Sequence, residues 1–300
     1  MKRGNKGDNS LKELQQYRSS ETHRRSVYLQ NRPDGVSETR ASHEDRLPRL
    51  KTDFKKCSAF VKKMRNFTPE ALSGLLRDVD SLNLSKYTSE IASAIMESRL
   101  NPSDLSAVVE IVIALHQKYE SFTSPFLAAL FAPLKGYVEV RGRGEELEGV
   151  ELRRSRIILR LVLELFMVGV HSRINALDLV LTHILGPDGG MNEEMKGEEE
   201  EGVEENKVDP LMLSTFVKYG SEVLLGITPP PKLQAISDSL DVPLDGRTCL
   251  LPPAKMEMMA DRVKAAYNDL STNFLDVYRD LQNHEHLCRK DEVIHGRFFY

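Results

Sequence analysis

From residue 51 to about residue 289 the chain repeats one pattern: apolar side chains at helical spacing, bounded by capping residues, with no stretch alternating as a strand does. Phe54, Cys57, Phe60/Val61 and Met64 stand at i, i+3, i+7 and i+10, which leaves Lys55, Lys56, Lys62 and Lys63 to face solvent. Thr68-Pro69-Glu70 reads as a helix start, a hydroxyl N-cap before Pro at the first helical position, with Leu72, Leu75, Leu76 and Val79 behind it. Ser85 is expected to cap a third helix to about Arg99, with Ile91 and Ile95 on its stripe. Asn101-Pro102 opens a fourth through Tyr119, striped by Leu105, Val108/Val109, Val112 and Leu115. Further helices are expected over residues 124–135, 152–170, 173–185, 210–225, 232–240 and 253–289. None can bury its stripe alone, so the predicted fold is all-α, a HEAT-like α-solenoid of stacked antiparallel helical hairpins. No self-similar sequence period accompanies it, so the repeat is structural.

The remaining segments read differently. Residues 1–50 hold few large apolar side chains, too few to offset the entropy of ordering, and are expected to form a mostly disordered basic segment ahead of a helical domain over residues 51–300. Gly186-Pro187-Asp188-Gly189-Gly190 leads into a glutamate run, so residues 188–208 are expected to be a disordered acidic loop. Pro229-Pro230-Pro231 and Leu251-Pro252-Pro253 break the helical pattern. Residues 1–65 carry 17 Lys and Arg against 8 Asp and Glu, and the remainder 24 against 37, so the amino-terminal end is the electrostatically adhesive one. Cys57, Cys249 and Cys288 form no disulfide framework, and the amino terminus has no apolar signal core; both suit a cytoplasmic protein. The most apolar run, residues 157–170, is too short to span a bilayer and contains Arg160 and Glu164, so no membrane partner is expected.

No pattern of side chains points to catalysis, a cofactor or a metal. The Gly186 loop lacks the Lys-Ser/Thr of a phosphate cradle and is followed by glutamates. His284, His286 and Cys288 lack the further ligands of a tetrahedral zinc site. Cys57, His116 and His171 lie on or beside apolar stripes, where packed side chains are the ordinary explanation. What remains is the basic set Lys55, Lys56, Lys62, Lys63 and Arg65, close to Arg46, Arg49 and Lys51. Such a stripe meets either phosphate backbone or an acidic protein, and a merely solvated face explains it equally well.

Four stretches carry a resemblance: Ala59-Phe60-Val61-Lys62-Lys63, Leu82-Asn83-Leu84-Ser85-Lys86-Tyr87, Leu115-His116-Gln117-Lys118-Tyr119 and Glu164-Leu165-Phe166-Met167-Val168-Gly169-Val170. With Arg32-Pro33-Asp34 upstream and Asp280-Leu281-Gln282-Asn283 downstream, their order resembles the first middle domain of the nonsense-mediated mRNA decay adaptor family, the regulators of nonsense transcripts 2. That resemblance implies the fold of the initiation factor 4G middle domain and a non-enzymatic scaffold that binds protein partners, with RNA as a second class of partner. The family's contacts to the decay helicase and the third decay factor lie in its tail and third middle domain, beyond the part matched here. The family chain also continues where this one stops, so a truncated piece is expected, and the Glu-rich run after Gly186 departs from the family's linker. Two alternatives stand beside this reading: a translation-initiation scaffold of the same fold, binding a helicase and RNA, and, from another class, a helical enzyme using His116 or Cys57.

Overall fold

A computed structural model of the protein describes residues 4–186, 208–226, 231–240 and 250–296. Among them are twelve α-helices: α1 Gly4–Asn31, α2 Pro33–Glu44, α3 Phe54–Arg65, α4 Leu72–Ser81, α5 Thr88–Glu97, α6 Leu105–Lys118, α7 Glu120–Gly142, α8 Gly149–Met167, α9 Ile174–Leu185, α10 Pro210–Leu224, α11 Pro231–Leu240 and α12 Pro253–Gly296. No strand occurs among the described residues; one isolated parallel bridge joins Lys51 to Leu82.

The order of packing is that of a solenoid. Helices α3, α5, α7 and α9 follow one another as one layer, and α4, α6, α8 and α10 as a second, with α12 against both α9 and α10. Between the layers lies one continuous core that includes Phe60, Phe122, Phe126, Leu161, Leu165 and Phe216. Phe122 and Phe126 stack at 5.1 Å. The helices inside the two layers thus bury their stripes against neighbours, as the spacing alone requires.

Several boundaries move. Asp53 caps α3, its carboxylate accepting from the Lys55 and Lys56 amides, while Phe54 stays 71% exposed in front of the buried Cys57, Phe60, Val61 and Met64. Thr68 makes no side-chain cap; a 3₁₀ turn over Pro69–Ala71 leads into α4 instead. Another, Ser85–Tyr87, precedes α5, and the Ser85 hydroxyl donates to Asn83 Oδ1 at 2.6 Å rather than capping the helix. The segment expected over 124–135 is the longer α7, which continues through Pro125 and Pro133 because its inner face, from Phe122 to Tyr137, is packed on both sides.

The largest departure is at the amino terminus. Residues expected to be mostly disordered form α1 and α2, laid across the second layer, where α2 meets α6 and α1 meets α6 and α11. Apolar burial here is sparse, chiefly Leu14 and Val36, and polar contacts supplement it. Tyr17 donates to Glu222 Oε2 at 3.4 Å, and Arg24 Nη1 approaches Met167 Sδ at 3.9 Å. The acidic run at 193–205, Cys249, and the side chains of His284, His286 and Cys288 lie outside the described residues.

Candidate docking surfaces

His116, His171 and Cys57, singled out by sequence, each hold helices together. His116 Nε2 donates to the Asn31 carbonyl at 3.0 Å, which leaves Nδ1 to accept from Thr123 Oγ1 at 2.8 Å. Burial pulls its pKa down, as does Arg40, against the pull of the Asn31 carbonyl, so the ring is a neutral linker. Arg40 closes the end of α6 by donating Nε and Nη2 to the His116 carbonyl at 3.1 and 2.9 Å. His171 donates Nε2 to the Val162 carbonyl at 2.9 Å, between Phe131 and Phe166. Cys57 is buried with Sγ 3.7 Å from the Asn83 carbonyl, and desolvation raises its pKa, the reverse of an activated nucleophile.

Three of the four stretches that carry the resemblance, around Leu82, Leu115 and Glu164, meet at the same joints. Asn31, buried at the turn before Pro33, donates Nδ2 to the Val168 carbonyl at 2.7 Å and accepts from Gln117 Nε2 at 2.8 Å, in addition to its bond with His116. Gly169 follows at φ 79°, where an added Cβ would stand 2.8 Å from the Tyr28 carbonyl. Tyr119 spans Leu82 and Leu84, donating to the Leu82 carbonyl at 3.0 Å and accepting from the Leu84 amide at 3.2 Å. These motifs are therefore where α1 and the early hairpins lock onto the array.

The predicted basic stripe of α3 is real as exposure but not as five free charges. Lys55, Lys56, Lys62, Lys63 and Arg65 are all exposed. Lys63 pairs with Asp78 at 2.9 Å and Arg65 with Glu97 at 2.7 Å, tying α3 to α4 and α5. Lys55, Lys56 and Lys62 make no ion pair among the described residues.

A second basic surface was not singled out by sequence. The outer face of α8 carries Arg153, Arg156 and Arg160 at i, i+3 and i+7, with Arg154 alongside. Two adjoining hollows, of about 380 and 680 Å³, share Arg153 and Ile157 in their walls. The first has an apolar floor of Leu105, Leu152 and Ile157 and is bounded by Leu211, Thr215 and Tyr219 of α10. Two of its arginines are held in place: Arg156 donates to Thr215 Oγ1 at 3.1 Å, and Arg160 donates to Glu164 at 2.6 Å and to the Pro102 carbonyl at 3.0 Å. The second hollow adds Arg99 and Arg154, the latter donating to the Met96 carbonyl at 3.0 Å. Glu97, in that wall, is already matched by Arg65. The arginine spacing is visible in the sequence; the walls come from distant segments and are not.

No helix among the described residues is long and apolar enough to cross a membrane, and no cluster of potential metal ligands occurs among them. No family model matches the chain. It is 26% identical to human regulator of nonsense transcripts 2 over 271 residues, covering 89% of this chain and 19% of that protein. A shorter match, 35% over 124 residues and 40% of this chain, is to regulator of nonsense transcripts UPF2 of Arabidopsis thaliana, 10% of whose length it covers. The nonsense-mediated mRNA decay protein 2 of Saccharomyces cerevisiae is 32% identical over 137 residues, 43% of this chain and 12% of that one. The chain thus spans about a fifth or less of the length of these relatives. In structure it superposes with TM-score 0.71 on the first MIF4G domain of human nonsense mediated decay factor UPF2, at 24% identity, over 95% of this chain and 85% of the other. In sequence the chain is thus similar to regulator of nonsense transcripts 2, and it is folded as the first MIF4G domain of that human factor is.

Proposed function

We propose that this protein is a non-enzymatic scaffold of nonsense-mediated mRNA decay, acting in the cytoplasm through protein contacts, with the basic stripe of α3 as an auxiliary docking surface for a protein or RNA partner. The observation that carries the reading is the likeness to human regulator of nonsense transcripts 2 along 89% of the chain, together with the shared fold. The use of side chains agrees with it. His116, His171 and Cys57, the groups a helical enzyme would draw on, are each spent on holding helices together. By the family resemblance, contacts to the decay helicase and the third decay factor belong chiefly to regions outside the matched part.

The test is depletion of the gene followed by half-life measurement of reporter transcripts with and without a premature stop codon. Lengthened half-lives confined to the premature-stop reporter are expected. Unchanged half-lives beside a general fall in translation initiation would favour a translation-initiation scaffold of the same fold.

A further inference from the structure

The trough along α8 has the chemistry of a peptide site, and we propose that it binds, in trans, an acidic segment of a partner protein that carries an aliphatic side chain. Among the described residues five arginines line it, Arg99, Arg153, Arg154, Arg156 and Arg160, and the one wall carboxylate, Glu97, is paired with Arg65. Carboxylates answer that rim through charge-assisted hydrogen bonds. Arg153 faces both hollows, is exposed, and makes no hydrogen bond or ion pair among the described residues, so it is free to take a ligand carboxylate. The other guanidinium groups with described bonds are pre-set by protein acceptors, Met96, Thr215, Glu164 and Pro102, which lowers the entropy lost on binding.

The floor decides between a peptide and a nucleic acid. Leu105, Leu152 and Ile157 offer an aliphatic surface, which suits a leucine or isoleucine of the ligand. Surfaces that hold single-stranded RNA ordinarily combine positive charge with open aromatic faces on which successive bases stack. Among the described residues Tyr219 is the one aromatic side chain in the trough walls, and it is already engaged, with Arg160 at 4.4 Å and Lys218 at 5.4 Å from its ring centre. Among the described residues the trough therefore offers guanidinium groups beside aliphatic carbon, and no free aromatic stacking platform. This inference stands apart from the decay reading: it concerns a surface and a ligand class, and reporter half-lives do not bear on it.

Fluorescence anisotropy on the full chain tests it, with a labelled peptide of glutamate pairs interspersed with leucine, the same peptide with serine for leucine, and oligouridylate as probes. Expected are saturable, salt-sensitive binding of the leucine peptide, a loss of about tenfold or more in Arg153→Glu, as like-charge juxtaposition dictates, and clearly weaker binding of the serine peptide. Amide exchange should show peptide-dependent protection over residues 149–160 and 211–219. Because Arg153 is exposed, its reversal should leave the melting temperature unchanged. Equal binding by Arg153→Glu, equal binding of the serine peptide, or oligouridylate displacing the leucine peptide from the protected segments would each overturn the proposal. So would protection of residues 149–160 without peptide that disappears on deleting residues 193–205, or that rises with protein concentration, since the occupant would then be this chain's own acidic run or a second copy.

Discussion

Gly169 and His171 stand two residues apart at the end of α8 and show how one short stretch sets the fold through two different physical constraints. At Gly169 the constraint is steric: φ is 79°, and a Cβ would stand 2.8 Å from the Tyr28 carbonyl of α1. Gly169→Ala is expected to cost at least about 1–2 kcal/mol from the left-handed backbone alone. The close approach adds to this, with loss of amide-exchange protection concentrated in residues 14–31. Gly74→Ala is the control: nothing lies within 4 Å of its added Cβ, so replacing glycine inside α4 should stabilise by about 0.5–1 kcal/mol. At His171 the constraint is electrostatic. Burial, with Arg173 in the same direction, pulls the imidazole from its ordinary 6.5 down to about 4. Between those pH values the unfolded chain binds a proton that the folded chain excludes. Stability is therefore full above pH 6.5 and falls as the pH drops toward 4, by on the order of 3 kcal/mol from this residue. His116 and His43, also depressed mainly by burial, act with the same sign. Denaturant midpoints measured from pH 7 to 4 should decline, and His171→Gln should flatten the decline.

Helix α8 was readable because its apolar side chains recur at 3.6-residue spacing, and the structure places Leu161, Leu165 and Phe166 in the core. Leu165→Ala is expected to destabilise by about 2–5 kcal/mol, as truncations of buried leucines do, without loss of any particular binding function. An unchanged denaturation midpoint would mean that the face is not buried. Helix α10 was equally readable, and in the structure Asp209 caps its start, accepting from the Leu211 and Met212 amides. Helices α1 and α2 were not. Their buried apolar side chains, Leu14 and Val36, are too widely separated to make a stripe, and what anchors them is Asn31, a polar side chain whose partners lie 85 to 137 residues away. Spacing rules describe local periodicity and carry no information about such a long-range bond. The α8 trough failed to be read for the same reason: the arginines share a helical face, but Leu105, Leu211 and Tyr219 complete the walls from other helices. Helix α12 shows the converse case. Its early turns bury Met259, Val263 and Ala266, whereas Tyr267, Phe274, Val277 and Leu281 farther along have a helical stripe and yet stay exposed.

Across the molecule, charge is separated more sharply than the net value of -4 suggests, with 17 Lys and Arg against 8 Asp and Glu in residues 1–65 and 24 against 37 beyond. Folding refines that separation. Lys63 and Arg65 are drawn into pairs with Asp78 and Glu97, so the long-range field of α3 rests mainly on Lys55, Lys56 and Lys62. Exposed lysines of this kind contribute little to stability, while their attraction for a polyanion is screened over about 8–10 Å at physiological salt. The triple reversal Lys55→Glu, Lys56→Glu, Lys62→Glu should therefore leave the melting temperature within a degree or two, given that surface substitutions usually stay within about 0.5 kcal/mol. The same variant should elute from a polyanion resin at markedly lower salt than the unaltered chain. Reversing Lys63 and Arg65 instead would set like charges against Asp78 and Glu97 and lower stability as well, so the two variants separate docking from architecture. Equal retention of the triple variant and the unaltered chain would leave α3 a solvated face and remove it from the proposed docking surface.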